Sequence, residues 1–234
     1  MLPAGPADMP SLSRPVPGLC GDRCCASRSA AAIYRGLTGW WPAEAGIDDD
    51  DDFDTHVFAS LIAVAAAEGG PVHIRLGLGA AELRRLIARR FPGAVLLLRA
   101  EEGEGAPCDD DEVVMLRDLL LASRTDESDD SSLLAAMVAR RALEPNHLWE
   151  DLGLRDRSEL TRLLMRHFGP LARRNVRNMR WKRFFYRTLC ESDGFVMCAT
   201  PVCSACADFD ACFGEETGES RLARARRDSL LPLS

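Results

Sequence analysis

No stretch of this 234-residue chain approaches the roughly 20 apolar residues that a membrane-spanning helix requires. The longest apolar run, Val57 to Ala67, is short and interrupted by Ser60. The opening MLPAGPADMP has neither a basic n-region nor an apolar h-region, so no secretory signal is visible and a cytoplasmic location is expected. Catalytic signatures are missing as well: there is no Gly-x-Ser-x-Gly, no Walker-type loop and no His-Glu-x-x-His. Gly77-Leu78-Gly79 lacks the third glycine and the preceding long strand that a phosphate-cradling loop needs. With no catalytic motif found, the chain is expected not to be an enzyme.

Lysine and arginine vanish from Thr188 to Ser220, where Glu191, Asp193, Asp208, Asp210, Glu215, Glu216 and Glu219 accumulate. Just upstream, from Arg155 to Arg187, eleven cations face two acids, Asp156 and Glu159. The formal net charge of -7 argues against indiscriminate nucleic-acid binding by the whole chain. A basic segment therefore runs directly into an acidic, cysteine-rich one.

A chain of this length that is 47% hydrophobic can bury one sizeable core. Residues 1–50, rich in Pro, Gly, Ala and Ser and ending in the run Asp48 to Asp52, have a composition that predicts a disordered arm. That arm holds Cys20, Cys24 and Cys25, expected to be dispensable, and the Trp40-Trp41 pair, which can dock on the domain.

From Phe53 the apolar spacing turns helical, with Phe53, Val57, Phe58, Leu61, Ile62 and Val64 in phase and Gly69-Gly70 as a stop. Further helices are predicted over Ala80 to Phe91, Asp111 to Ser123, about Ser131 to Leu143, and Glu159 to Phe168 capped by Ser158. Gly169-Pro170 opens a sixth that carries Trp181, Phe185 and Leu189 as a core stripe. The short runs Val72 to Leu76 and Val95 to Leu98 can form strands, but nothing assembles them into a sheet. The expected fold is a mainly α-helical bundle spanning 51–219, with an irregular cysteine-rich metal-binding loop at 190–216 and a flexible basic tail at 220–234.

The segment MCATPVCSACADFDACFG reads Cys198-x4-Cys203-x2-Cys206-x5-Cys212, with Cys190 just before it. Nine cysteines in a reducing compartment point to metal before disulfides, and the odd number argues against a fully paired framework. Structural zinc sites pair two knuckles, whereas one C-x2-C is present here; the C-x4-C-x2-C opening matches the plant-type ferredoxin pattern. Thiolates suit iron–sulfur clusters and zinc alike, so zinc stays as an alternative. His147 and His167 are candidate nitrogen ligands, against the simpler reading of helix-end or packing residues; His56 and His73 read as ordinary surface or core residues.

Three motifs, His147-Leu-Trp-Glu-Asp-Leu-Gly-Leu154, Asn178-Met-Arg-Trp-Lys-Arg-Phe-Phe-Tyr-Arg-Thr-Leu-Cys190 and the run ending Cys212-Phe-Gly-Glu-Glu216, together resemble the NifQ family of nitrogen-fixation proteins. A weaker likeness reaches back through LGLGAAELRRLIARRFPGA to Phe53. The resemblance implies an iron–sulfur protein, with a three-iron cluster able to take up molybdenum, that supplies molybdenum for the iron–molybdenum cofactor of nitrogenase. It implies the dinitrogenase reductase NifH and the scaffold complex NifEN as partners, with no nucleic acid and no membrane. The family's cysteine motif maps onto Cys198, Cys203, Cys206 and Cys212, with Cys190 an optional ligand. An electron-transfer or redox-sensing iron–sulfur protein is the alternative of another class, and a zinc-stabilised interaction module a third. Arg173, Arg174, Arg177 and Arg180, read as lying on the helix that leads to the cysteine loop, are expected to form a docking face for an acidic partner.

Overall fold

A computed structural model describes residues 29–94 and 110–192. Among the described residues the chain forms ten helices and no strand, in the order α1 (Ala30–Thr38), α2 (Asp50–Ala67), α3 (Val72–Arg75), α4 (Ala80–Arg90), α5 (Asp111–Ala122), α6 (Asp129–Ala142), α7 (Leu148–Asp151), α8 (Arg157–His167), α9 (Gly169–Ala172) and α10 (Trp181–Ser192). The expected mainly helical architecture is the one observed for these residues. Val72 to Leu76 falls in α3 rather than in a strand, since a four-residue turn closes on Gly77, whose positive φ ends it.

Helix α2 is the centre of the bundle. Every residue from Phe53 to Ala65 except Thr55 is buried, which suits a helix that is apolar on all sides. Its entry is fixed by Asp49, whose side chain accepts the Asp52 backbone N–H at 2.8 Å, and by three aspartates in the first turn that complement the helix dipole. Close packing reaches α2 through Gly153, at φ +76°: a Cβ there would stand 2.6 Å from Val64 and 2.9 Å from the Ser60 carbonyl oxygen. Only a residue without Cβ lets the turn after α7 lie on α2.

Residues 29–50 are not part of a disordered arm. Ser29 caps α1, Gly39 closes it in the left-handed region at φ 83°, and Ala30, Ala31, Tyr34 and Leu37 are buried against α2. The segment after α1 is strapped down by two arginines, Arg155 in the turn before α8 donating to the carbonyls of Pro42 (2.9 Å) and Ala45 (2.6 Å), and Arg162 of α8 to that of Ile47 (2.5 Å). The tryptophan pair divides: Trp41 lies beneath the Arg35 guanidinium, 4.9 Å from its ring centroid, while Trp40 is 63% exposed. Residues 1–28, with Cys20, Cys24 and Cys25, and the tail 220–234 lie outside the described residues, as do Val95 to Leu98 and Cys108.

The helices read from periodicity stand within about three residues of their expected bounds, α2 starting at Asp50 rather than Phe53. Helix α8 begins earlier than predicted, because Asp156 and not Ser158 is its cap; the Asp156 carboxylate accepts the backbone N–H groups of Ser158 (2.7 Å) and Glu159 (3.1 Å). The larger departure is between α9 and α10. A single helix from Gly169 through Leu189 is replaced by a four-residue turn, an ordered loop from Arg173 to Arg180, and a separate α10. Asn175 makes the break: its side chain donates to the Met179 carbonyl (2.9 Å) and accepts the Met179 N–H (2.8 Å), and Asn178 takes the left-handed φ of 54°.

Candidate metal centre

Helix α10 carries the chain into the cysteine segment, and its first half is held from two sides. Trp181, Phe184 and Phe185 are buried, Trp181 standing edge-on to Phe184 with ring centroids 5.8 Å apart. The expected stripe is thus core, with Leu189 partly buried at its end. Lys182 extends the other way, donating to the Asp151 carboxylate at 2.7 Å and to the Glu144 carbonyl. Asp151 is fully buried and also accepts from the Asn146 amide at 2.9 Å, while its carbonyl accepts from Arg141 at 2.9 Å. Arg141, itself fully buried, forms a two-pronged pair with Glu68 at 2.7 and 2.8 Å. The His147–Leu154 motif and the Asn178–Cys190 motif, distant in sequence, therefore interlock through one lysine and one aspartate.

Cys190 sits in the last turn of α10 as a free, half-buried thiol, next to the exposed Arg187–Glu191 pair at 2.7 Å. On the same helix, burial and a hydrogen bond with Glu112 of α5 push the Tyr186 phenol above its usual range. This contact, with the packing of α10 on α5, sets where the last turn of α10 points. Cys198, Cys203, Cys206 and Cys212 lie outside the described residues, and among the described residues no group of three or more His, Cys, Asp or Glu could hold a metal ion. The described framework thus offers one thiol next to the motif, and the four sequence cysteines, all soft sulfur donors, suit an iron–sulfur cluster and zinc alike.

Three of the four histidines, His56, His73 and His167, are buried. His167 is buried, with Nε2 2.9 Å from Asp54 Oδ1 and Nδ1 3.0 Å from Ser131 Oγ. Both ring nitrogens of His167 thus face protein groups. Asp54 also receives a forked pair from Arg166; although burial pushes its carboxyl up, the hydrogen bonds from His167 and Arg166 outweigh that and hold it below the usual range. His56 is clasped between the Tyr34 hydroxyl, 2.7 Å from Nδ1, and Glu159, 3.2 Å from Nε2. His147 opens α7, its backbone N–H donating to Glu150 at 3.1 Å, and is partly exposed.

Ser131, His167 and Asp54 reproduce the connectivity of a serine hydrolase triad, but all three are buried and the Ser131 hydroxyl donates to Asp126 at 2.8 Å. Without exposure the hydroxyl meets no acyl substrate, and the trio acts as a polar clamp joining α2, α6 and α8. The sequence carries no local sign of this clamp, since His167 lies 36 positions from Ser131 and 113 from Asp54. The predicted docking arginines lie not on a helix but on the α9–α10 loop, where Arg173, Arg174 and Arg177 are exposed and Arg180 half-buried.

The family model of NifQ matches residues 57–214. A protein named NifQ homolog from Sinorhizobium fredii is 42% identical over 187 residues, which is 78% of this chain and 80% of that protein. The NifQ protein of Rhodobacter capsulatus is 38% identical over 68% of this chain and 87% of its own length. That of Azotobacter vinelandii is 41% identical over 62% of this chain and 80% of its own. No solved structure matches. The matched span encloses the interlocked α7 and α10 motifs and all four motif cysteines, and the chain belongs to the NifQ family of nitrogen-fixation proteins.

Proposed function

We propose that this protein is an iron–sulfur metallocluster carrier that supplies molybdenum for biosynthesis of the iron–molybdenum cofactor of nitrogenase. The observation that carries the reading is the coincidence of the family match, which runs to residue 214, with a four-thiolate motif that ends at Cys212. Cys198, Cys203, Cys206 and Cys212 would hold the cluster, here of the three-iron type, and the bound cluster supplies soft sulfide positions that retain molybdenum. Cys190 is adjacent to the loop and available as a further thiolate. The burial of His56, His73 and His167 favours sulfur over nitrogen as the donor chemistry. The carrier reading places the protein in the cytoplasm, with NifH and the NifEN scaffold as recipients. That no helix among the described residues is long and apolar enough to cross a membrane agrees with it.

The test is elemental analysis of the full chain isolated without oxygen from molybdate-supplied cells. Iron, acid-labile sulfide and molybdenum together are expected. Iron and sulfide without molybdenum would replace the carrier by an electron-transfer or redox-sensing protein, and zinc alone by an interaction module. Cys203→Ser is expected to lose the iron and Cys24→Ser to keep it. A Cys203→Ser protein with full iron content refutes the ligand assignment.

A further inference from the structure

The loop between α9 and α10 has a composition and a rigidity that the carrier reading leaves unused. From Gly169 to Cys190 there is no acidic residue. Several half-buried arginines of this protein are answered by carboxylates: Arg90 by Asp51 and Asp130, Arg162 and Arg166 by Asp50. Arg173, Arg174 and Arg183 are exposed and pair with no acid among the described residues. At the tip of the same loop Val176 is 86% exposed, the most exposed of the large apolar residues among those described.

The loop is also locked. The Asn175 side chain bridges both backbone groups of Met179, and Arg157 reaches across from α8 to donate to the carbonyls of Asn178 (3.1 Å) and Met179 (2.7 Å). Met179 is buried beneath. An exposed valine, flanked in sequence by Arg174 and Arg177 on a loop fixed by hydrogen bonds, loses little conformational entropy when a second surface covers it.

We propose that the Arg173–Arg180 loop, together with Arg183 at the start of α10, is a preorganised docking element for an acidic protein surface, with Val176 as its apolar contact. The proposal deepens the carrier reading, since the same helix leads from this loop to the cysteine segment. A protein partner is favoured over nucleic acid because a net charge of -7 opposes a polyphosphate approaching from a distance, while a compact acidic patch needs to meet only the loop.

The test has two arms. In the first, binding of a fluorescent polyglutamate peptide to the full chain is followed by anisotropy from low to high salt, with duplex DNA as the competing probe. The parent protein binds the peptide in a salt-sensitive manner, and Arg173→Gln/Arg174→Gln/Arg183→Gln together weaken it by about tenfold. Val176→Asp and Asn175→Ala, one repelling the partner and one unlocking the loop, weaken it as well. Equal binding by parent and triple variant, or a preference for DNA, overturns the proposal. This arm needs no bound metal, so it fails or succeeds independently of the carrier reading. In the second arm the metal-loaded triple variant, with parental iron and molybdenum content, transfers its metal to the purified NifEN scaffold about tenfold more slowly at low salt. Transfer at the parental rate overturns the docking role even where the carrier reading holds.

Discussion

Replacing Tyr34 by alanine measures how far α1 belongs to the core. Tyr34 is fully buried, its ring stands edge-on to His56 with centroids 5.5 Å apart, and its hydroxyl lies 2.7 Å from His56 Nδ1. Truncating a buried aromatic side chain costs about 3–5 kcal/mol in lost transfer energy and residual cavity. His56 is then left with an unpaired buried nitrogen, which adds roughly 1–3 kcal/mol unless water fills the space. Tyr34→Phe keeps the ring and removes only the hydroxyl, at about 1–2 kcal/mol. Against a total stability of about 5–15 kcal/mol, the alanine variant stands near the edge of folding. Deleting residues 1–48, which removes α1 and the strap held by Arg155 and Arg162, is expected to go past it. Thermal and urea unfolding followed by circular dichroism separate the cases: a loss of ~4 kcal/mol lowers the midpoint of a protein this size by roughly 10 °C, and the phenylalanine variant by a third of that. A Tyr34→Ala midpoint equal to the parent's, or a truncated 49–234 chain that melts like the full one, would refute the reasoning and return α1 to the arm.

Two further predictions concern packing and pH. Gly153→Ala drives a methyl into Val64 and the Ser60 carbonyl at a positive φ, for an expected loss of roughly 2–4 kcal/mol, whereas Gly39→Ala, with open space around it and φ 83°, loses about 1 kcal/mol; unfolding midpoints of the pair give the difference. The Asp126 carboxyl is held down at about 2 by hydrogen bonds from Ser128 and Ser131, and Asp54 is held below its usual range as described above. A carboxylate depressed in the folded state contributes its full stabilisation above its unfolded pKa near 4 and loses it as pH falls toward the folded value. Stability should therefore decline between about pH 4 and pH 2, and Asp126→Asn should flatten that decline; an unchanged acid profile would refute the assignment.

The parts of the fold visible in the sequence are those with local causes. Phe53, Val57, Leu61 and Val64 announce α2, and Leu83, Leu86 and Ile87 announce α4, because one face or more of each had to be apolar. Helix α1 was concealed by its proline- and glycine-rich surroundings, although Ser29 before an alanine run and Gly39 after it were both cap signals. The break between α9 and α10 contains neither glycine nor proline. Its cue was Asn175 and Asn178, residues whose side chains compete with the helix for backbone groups. The Asp54–His167–Ser131 clamp and the Lys182–Asp151 bond had no local trace, since each joins residues far apart in the chain. For the metal centre, spacing and donor type in the cysteine motif spoke, and the structure adds the anchored helix that precedes it and the thiol of Cys190.

The placement of the four histidines has a bearing on metal discrimination. Imidazole is the ligand by which nickel, copper and zinc ordinarily gain their hold on a protein surface. In this chain His56, His73 and His167 are buried, and only His147 is partly exposed. Divalent ions of the late first row consequently meet a described surface with almost no imidazole donors, so under the proposed carrier reading competition for the cysteine segment would turn on affinity for thiolate.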